Sequence, residues 1–105
     1  MSMIDFELYK LFYTVAKYGS LSKAAEELFI SQPAASQSIK RLEELLDTPL
    51  FNRMHHGMEL SAQGGKIIFD DVEQAIKLLY GVEQKLAALK QNATGTIRIG
   101  ASETI

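Results

Sequence analysis

Ser31-Gln32-Pro33-Ala34-Ala35-Ser36-Gln37-Ser38-Ile39-Lys40-Arg41-Leu42-Glu43-Glu44-Leu45-Leu46 is the stretch around which the rest of the chain is organised. At roughly 100° per residue, Ala35, Ile39, Leu42 and Leu46 fall on one narrow stripe, as in a helix held to a core on one side. Gln32, Pro33, Ser36 and Lys40 project from a neighbouring face, with Gln37 at its edge. Ser31 is placed as an N-cap, its hydroxyl accepting from an orphan N–H of the first turn. Pro33 lies within that first turn, where its missing N–H costs no intrahelical bond. The polar face suits base edges: Gln pairs with adenine, Ser donates or accepts, and Lys reaches guanine or phosphate. Pro33 and Ala34 offer apolar contact of the kind that fits a thymine methyl. On this helix alone an ordinary amphipathic helix with a solvated polar face is the stronger reading, because such faces are common. The surroundings decide.

Upstream, Leu8, Leu11, Phe12, Val15 and Ala16 follow helical spacing from Asp5 to Tyr18, and Gly19 closes the segment. The aromatics Phe6, Tyr9, Phe12 and Tyr13 are expected in the core or at its edge. Ser20 and Ser22 are cap candidates for a shorter helix from about Lys23 to Phe29, with Ala24, Ala25, Leu28 and Phe29 facing inward. Paired alanines let two helix backbones approach closely. Only Ile30 and Ser31 separate this helix from the next. Two short helices joined by so brief a turn form a helix-turn-helix, with a generic αα-hairpin as the alternative. The polar N-terminal half of the second helix favours the former, since that half enters the major groove. Downstream, Pro49 stops the helix, and Leu50 to Met54 and Met58 to Leu60 flank His55-His56-Gly57. Two extended pieces around a glycine-containing turn predict a β-hairpin wing. Arg53 on it would reach phosphate or a narrow minor groove.

Periodicity changes after Ser61. Ile68, Val72, Ala75, Leu79, Val82, Leu86 and Leu89 alternate spacings of three and four, a heptad seam running to about Gln91, which Phe69 and Ile76 widen. A helix of ~30 residues is ~45 Å long, too long to pack wholly on a three-helix core, so it needs a partner. The simplest partner is the same helix of a second chain, through Ile68, Val72, Ala75, Ile76, Leu79, Val82, Leu86 and Leu89. Gly64 and Gly65 predict close backbone packing, whereas Gly81 has no explanation in the sequence. Ile97 and Ile99, alternating with Thr96 and Arg98, read as a strand with nothing to pair with. The expected organisation is a winged helix-turn-helix over 1–61 (helix-turn-helix about 21–40), a linker helix over 62–91, and a linker and strand over 92–105. The fold class is mainly α: a three-helix core, a small hairpin wing and a long dimerisation helix.

The 105 residues are 47% hydrophobic and 23% charged, the balance of a globular chain. No apolar run approaches the ~18 residues of a membrane span, and the N-terminus lacks a signal-peptide pattern, so a cytoplasmic protein is expected. Without cysteine there is no disulfide, thiolate metal site or thiol nucleophile. No glycine-rich phosphate loop or Ser/His/Asp set is evident. The two histidines, His55 and His56, are adjacent and poorly placed to converge on a metal or proton, and Asp70-Asp71 reads as a solvated face. An enzyme is not expected. Net charge is −2, which opposes nucleic-acid binding, but Ser31 to Lys40 contains no acid. Weak non-specific affinity follows, because that term comes from phosphate neutralisation.

Together these residues resemble the N-terminal region of a LysR-type transcriptional regulator. The resemblance is carried by Phe12–Ala16, Gly19–Ser36, Ile39–Glu43, Leu50-Phe51-Asn52-Arg53 and Leu60-Ser61-Ala62-Gln63-Gly64, with Ile97-Arg98-Ile99-Gly100 resembling the first strand of the family's effector domain. It implies double-stranded DNA carrying an inverted repeat as the partner, a homodimer through the linker helix, and tetramers formed with a domain absent here. It also implies an effector of unknown identity bound by that domain, and no cofactor in this fragment. By the same resemblance Gln32, Pro33, Ser36 and Gln37 would face bases. Ser22, Ser31, Lys40, Arg53, His55 and His56 would serve the DNA backbone or the wing. Four places depart from the family pattern. Asp47 stands where glycine is usual, Gln37 where arginine is common, Ser61 where threonine is usual, and His55-His56-Gly57 where the wing tip is commonly basic. Neutral Gln37 would prefer adenine to guanine, and histidines at the tip would make phosphate attraction rise as pH falls. The competing reading is a protein-interaction module whose function is the long seam; net acidity favours it and the Ser31–Lys40 surface opposes it.

Overall fold

Each helix begins where a side-chain oxygen can satisfy an orphan N–H, and three of them end where the backbone turns left-handed. Residues 4–93 are described by the structure, a computed structural model, with side chains as far as residue 91. The first helix, α1 (Phe6–Tyr18), starts at Asp5, whose carboxylate accepts from Glu7 N at 3.0 Å. It ends at Gly19 with φ 62°, a conformation glycine adopts without a Cβ clash. The second, α2 (Leu21–Leu28), is capped by Ser20, whose hydroxyl accepts from Lys23 N at 3.1 Å. It therefore starts two residues before the sequence expectation, because Ser20 rather than Ser22 supplies the cap. The third, α3 (Gln32–Leu46), is capped by Ser31 accepting from Ala34 N at 3.1 Å, with Pro33 in the first turn as expected.

One inward assignment is overturned. Phe29 is not on the inner face of α2: it is the C-cap, at φ 59° and ψ 42°, and 94% exposed. Its backbone has left the helix, so helical spacing no longer governs where its ring points. The turn closes with Ile30 N donating to Ala25 O and Phe29 N to Glu26 O. The end of α3 repeats the motif: Asp47 is left-handed at φ 54°, with Thr48 N donating to Glu43 O and Asp47 N to Glu44 O.

Leu11, Phe12 and Val15 of α1, Leu21, Ala24 and Ala25 of α2, and Ala35, Ile39 and Leu42 of α3 are buried and form the three-helix core. Leu46 and Leu28 are half-buried. Two strands, β1 (Phe51–Met54) and β2 (Gly57–Leu60), pair antiparallel with Phe51 opposite Leu60 and Arg53 opposite Met58. Phe51 enters the core, its ring 5.4 Å from that of Phe12. Glu43, on the side of α3, accepts from Leu50 N at 2.7 Å and Phe51 N at 3.2 Å, fixing where β1 begins. The hairpin is fastened at its other end by Met58 N donating to Gly19 O. Gly57 sits against that carbonyl, where a Cβ would come 2.2 Å from Gly19 O, and its φ of 146° also excludes ordinary residues.

The fourth helix, α4 (Gly65–Ala93), starts three residues later than expected, after a turn built on Ser61. The Ser61 hydroxyl is fully buried, donates to Pro49 O at 2.7 Å, and accepts from Gly64 N and Gly65 N. Close packing at the two glycines is as expected: a Cβ on Gly65 would lie 2.1 Å from Leu50 O, and one on Gly64 2.6 Å from Pro49 O. The chain divides into two compact units, residues 1–73 and 74–105. In the first, Phe69 stacks on Tyr13 at 5.7 Å and approaches Phe12 edge-on, and Val72 is buried. Val72, read as part of a partner-facing seam, thus belongs to the core of its own chain. In the second, Leu78, Leu79, Tyr80, Val82, Leu86 and Leu89 are exposed. The strand read at Ile97 and Ile99 lies outside the described residues.

Candidate nucleic-acid interface

Capping and core packing leave one side of α3 unburied. Gln32, Pro33, Ala34, Gln37, Lys40 and Arg41 are exposed, and Ser36 is half-buried between them and the core stripe. No acid stands between Ser31 and Arg41. Two concave recesses flank this surface. One, about 380 Å³, is lined by Ser22 of α2, Gln32 of α3, and Arg53, His55 and His56 of the hairpin, with Ser20 and Met54 alongside. The other, about 510 Å³, is lined along α3 by Ala34, Gln37, Ser38, Lys40, Arg41 and Glu44. Residues read separately from the sequence as cap, base reader and wing therefore share a continuous setting.

Arg53 takes a position the sequence did not suggest. Phe51 and Arg53, two residues apart, point to the same side of the ribbon, opposite Leu60 and Met58 on that side. Phe51 and Met58 are buried against the helices, so this is the helix-facing side. Arg53 consequently reaches inward along the hairpin, and its Nη2 donates to Ser36 Oγ at 3.1 Å. Asn52 and Glu59 occupy the opposite, exposed side. His55 and His56 form the exposed tip.

The sequence pattern does not single out Arg41 and Ser38, which line the recess beside Lys40, or Glu44, which places a carboxylate in the same recess. Their signal was their i+1 and i+4 relation to Gln37 and Lys40 on the helix. Nor does the pattern single out Glu43, because its contact with the start of β1 joins residues seven and eight apart through a turn. Ser31 is exposed, and its oxygen serves the helix cap. Among the described residues no three His, Asp or Glu side chains cluster so as to hold a metal ion, and no helix is long and apolar enough to cross a membrane.

Comparison with known proteins places this geometry. The family described as "Bacterial regulatory helix-turn-helix protein, lysR family" matches residues 6–65, more than half of the chain. The chain belongs to that family. A probable RuBisCO transcriptional regulator of Cyanidioschyzon merolae is 36% identical over 96 residues, which are 91% of this chain and 31% of the relative. A crystal structure of the CbnR DBD–DNA complex matches with a TM-score of 0.69 at 30% identity, covering 83% of this chain and 99% of that one. The BenM DBD bound to catB site 1 DNA matches with a TM-score of 0.67 at 30% identity, covering 88% and 95%. The fold is thus the winged helix-turn-helix with a long following helix seen in LysR-type DNA-binding domains. The chain spans about a third of the length of the first two regulators it matches, 31% and 33%.

Proposed function

We infer that this chain is the DNA-reading part of a transcriptional regulator, which binds double-stranded DNA as a dimer with α3 in the major groove. The observation that carries this is the acid-free, exposed N-terminal half of α3 with the hairpin beside it, Arg53 touching Ser36. Gln32, Pro33, Ser36 and Gln37 face base edges, where paired donors and acceptors distinguish one base pair from another. Lys40 and Arg41 lie further along α3, in the recess that also holds Gln37, and neutralise phosphate. Ser22, His55 and His56 border the recess between the start of α2 and the hairpin, and serve the backbone there. Ser31 contributes by holding the first turn of α3 in place, the position from which Gln32 reads.

Self-association is supported by the exposed Leu79, Val82, Leu86 and Leu89 of α4, which repeat at spacings of three and four. Two recognition helices related by a two-fold axis call for inverted half-sites about one turn, ~10 bp, or a multiple apart. The function is binding rather than catalysis, exercised in the cytoplasm. It involves no cofactor in this part of the molecule, and a small-molecule effector belongs to residues beyond it.

Selection of bound sequences from a random duplex pool, at one stated low salt concentration, tests this. An enriched inverted repeat is the expected result. A stable dimer that enriches nothing, here and in a longer chain carrying the same residues, would leave the interaction-module reading in its place.

A further inference from the structure

We propose that Arg53 is a positioning residue for base reading, which sets the Ser36 hydroxyl as a hydrogen-bond donor toward DNA. This rests on the DNA-binding function inferred above. A serine hydroxyl has one proton to donate and two lone pairs to accept with, so alone it reads donors and acceptors alike. Arg53 removes that ambiguity. Its Nη2–H occupies one lone pair of Ser36 Oγ at 3.1 Å, and the guanidinium charge turns the hydroxyl proton away from itself. The usual local outlet for such a proton is the carbonyl four residues back, as Thr14 uses Lys10 O at 2.8 Å. Ser36 is drawn instead into a bond with the hairpin, and its proton is left for a base acceptor such as guanine O6 or N7 or thymine O4.

The reach of Arg53 comes from the ribbon register. Phe51 is anchored on Phe12 and Met58 on Gly19, and the same register turns Arg53, on the side of Phe51 and Met58, toward α3. In water the exposed Arg53–Ser36 bond is weak. Once DNA covers it, the loss of competing solvent strengthens it. Guanidinium has five N–H groups, so one arm holds Ser36 while others remain for phosphate. The wing would then supply specificity through α3 as well as affinity through its charge.

The test uses the 105-residue chain and the duplex it selects, with every base pair substituted at the position that Ser36→Ala relaxes. Wild type is expected to favour acceptor-presenting bases there by about tenfold, the scale of one good base contact. Arg53→Ala should reduce that preference to within about threefold while leaving preferences at other positions in place. Arg53→Ala/Ser36→Ala should show no further loss of discrimination, and Arg53→Lys should restore part of it. Unchanged thermal melting of each variant separates these effects from misfolding, and Arg53→Lys carries the comparison if Arg53→Ala melts early. A uniform weakening of all duplexes by Arg53→Ala, with the Ser36 preference intact and the salt slope reduced by about one phosphate, would make Arg53 a backbone contact and overturn the proposal. A wild-type chain that selects no duplex would overturn the DNA reading itself, and this proposal with it.

Discussion

Phe29 and Asp47 hold left-handed backbone at φ 59° and 54°, where an L residue meets its own carbonyl and costs ~1–2 kcal/mol. Glycine would relieve both. Phe29→Gly should raise stability by ~1 kcal/mol, since the 94% exposed ring has little packing to lose, and Asp47→Gly by less, because aspartate tolerates the conformation better. Urea unfolding with an unchanged slope checks this; a loss of stability at Phe29 would mean that the ring is engaged. Ser61 is the opposite case. Its hydroxyl ties Pro49 O, Gly64 N and Gly65 N together at 0% exposure, so Ser61→Ala should cost ~2–3 kcal/mol by stranding buried groups. The serine was legible in the sequence as a mild departure from threonine; its three partners were not, because they lie on both sides of a hairpin.

The long helix offers a paired comparison at the scale of an element. In an exposed helix interior, glycine is worth ~1 kcal/mol less than alanine, wherever the added methyl finds room. At Gly81 a Cβ would meet nothing within 4 Å, whereas at Gly65 it would strike Leu50 O. Gly81→Ala should therefore stabilise α4 by ~1 kcal/mol, and Gly65→Ala should destabilise the domain by several times that or prevent folding. Circular dichroism of the two variants during thermal unfolding reads both; similar shifts in the same direction would contradict the packing described at Leu50. Glu43 shows a second kind of element coupling, in which a half-buried carboxylate on α3 receives the first two N–H groups of the wing. Glu43→Ala should loosen the hairpin before the helices, by ~1–3 kcal/mol, visible as faster amide exchange at Phe51 to Leu60.

For the whole molecule, the apolar seam is divided between two uses. Val72 and Phe69 complete the core of the first unit, while Leu79, Val82, Leu86 and Leu89 stay exposed in the second. Leu79→Glu/Leu86→Glu should convert a dimer to a monomer in sedimentation equilibrium without altering the Phe12–Phe69 core, whose near-ultraviolet signal reports it. Loss of that signal together with dimerisation would show that the two units do not fold independently of the seam. With net charge −2, the proposed dimer should also hold non-specific duplex weakly, so that its affinity for any one sequence depends on base contacts more than on charge.

Local chemistry was enough to determine where α3 begins, where Pro49 stops it, which stripe of it is buried, and that a glycine-containing turn makes a hairpin. Each depends on residues within one or two turns of one another, and spacing alone records them. The polar face of α3 and its lack of acids were equally legible. Only tertiary packing decided that Phe29 leaves the helix and faces solvent, that Val72 is spent on its own core, that Glu43 and Ser61 bind the wing and the long helix in place, and that Arg53 turns inward to Ser36. These depend on backbone handedness and on strand register against a shared core, which bring together groups as far apart in the chain as Ser36 and Arg53, or Gly19 and Met58. No periodicity in the chain encodes that meeting; the register of Phe51 against Leu60 does.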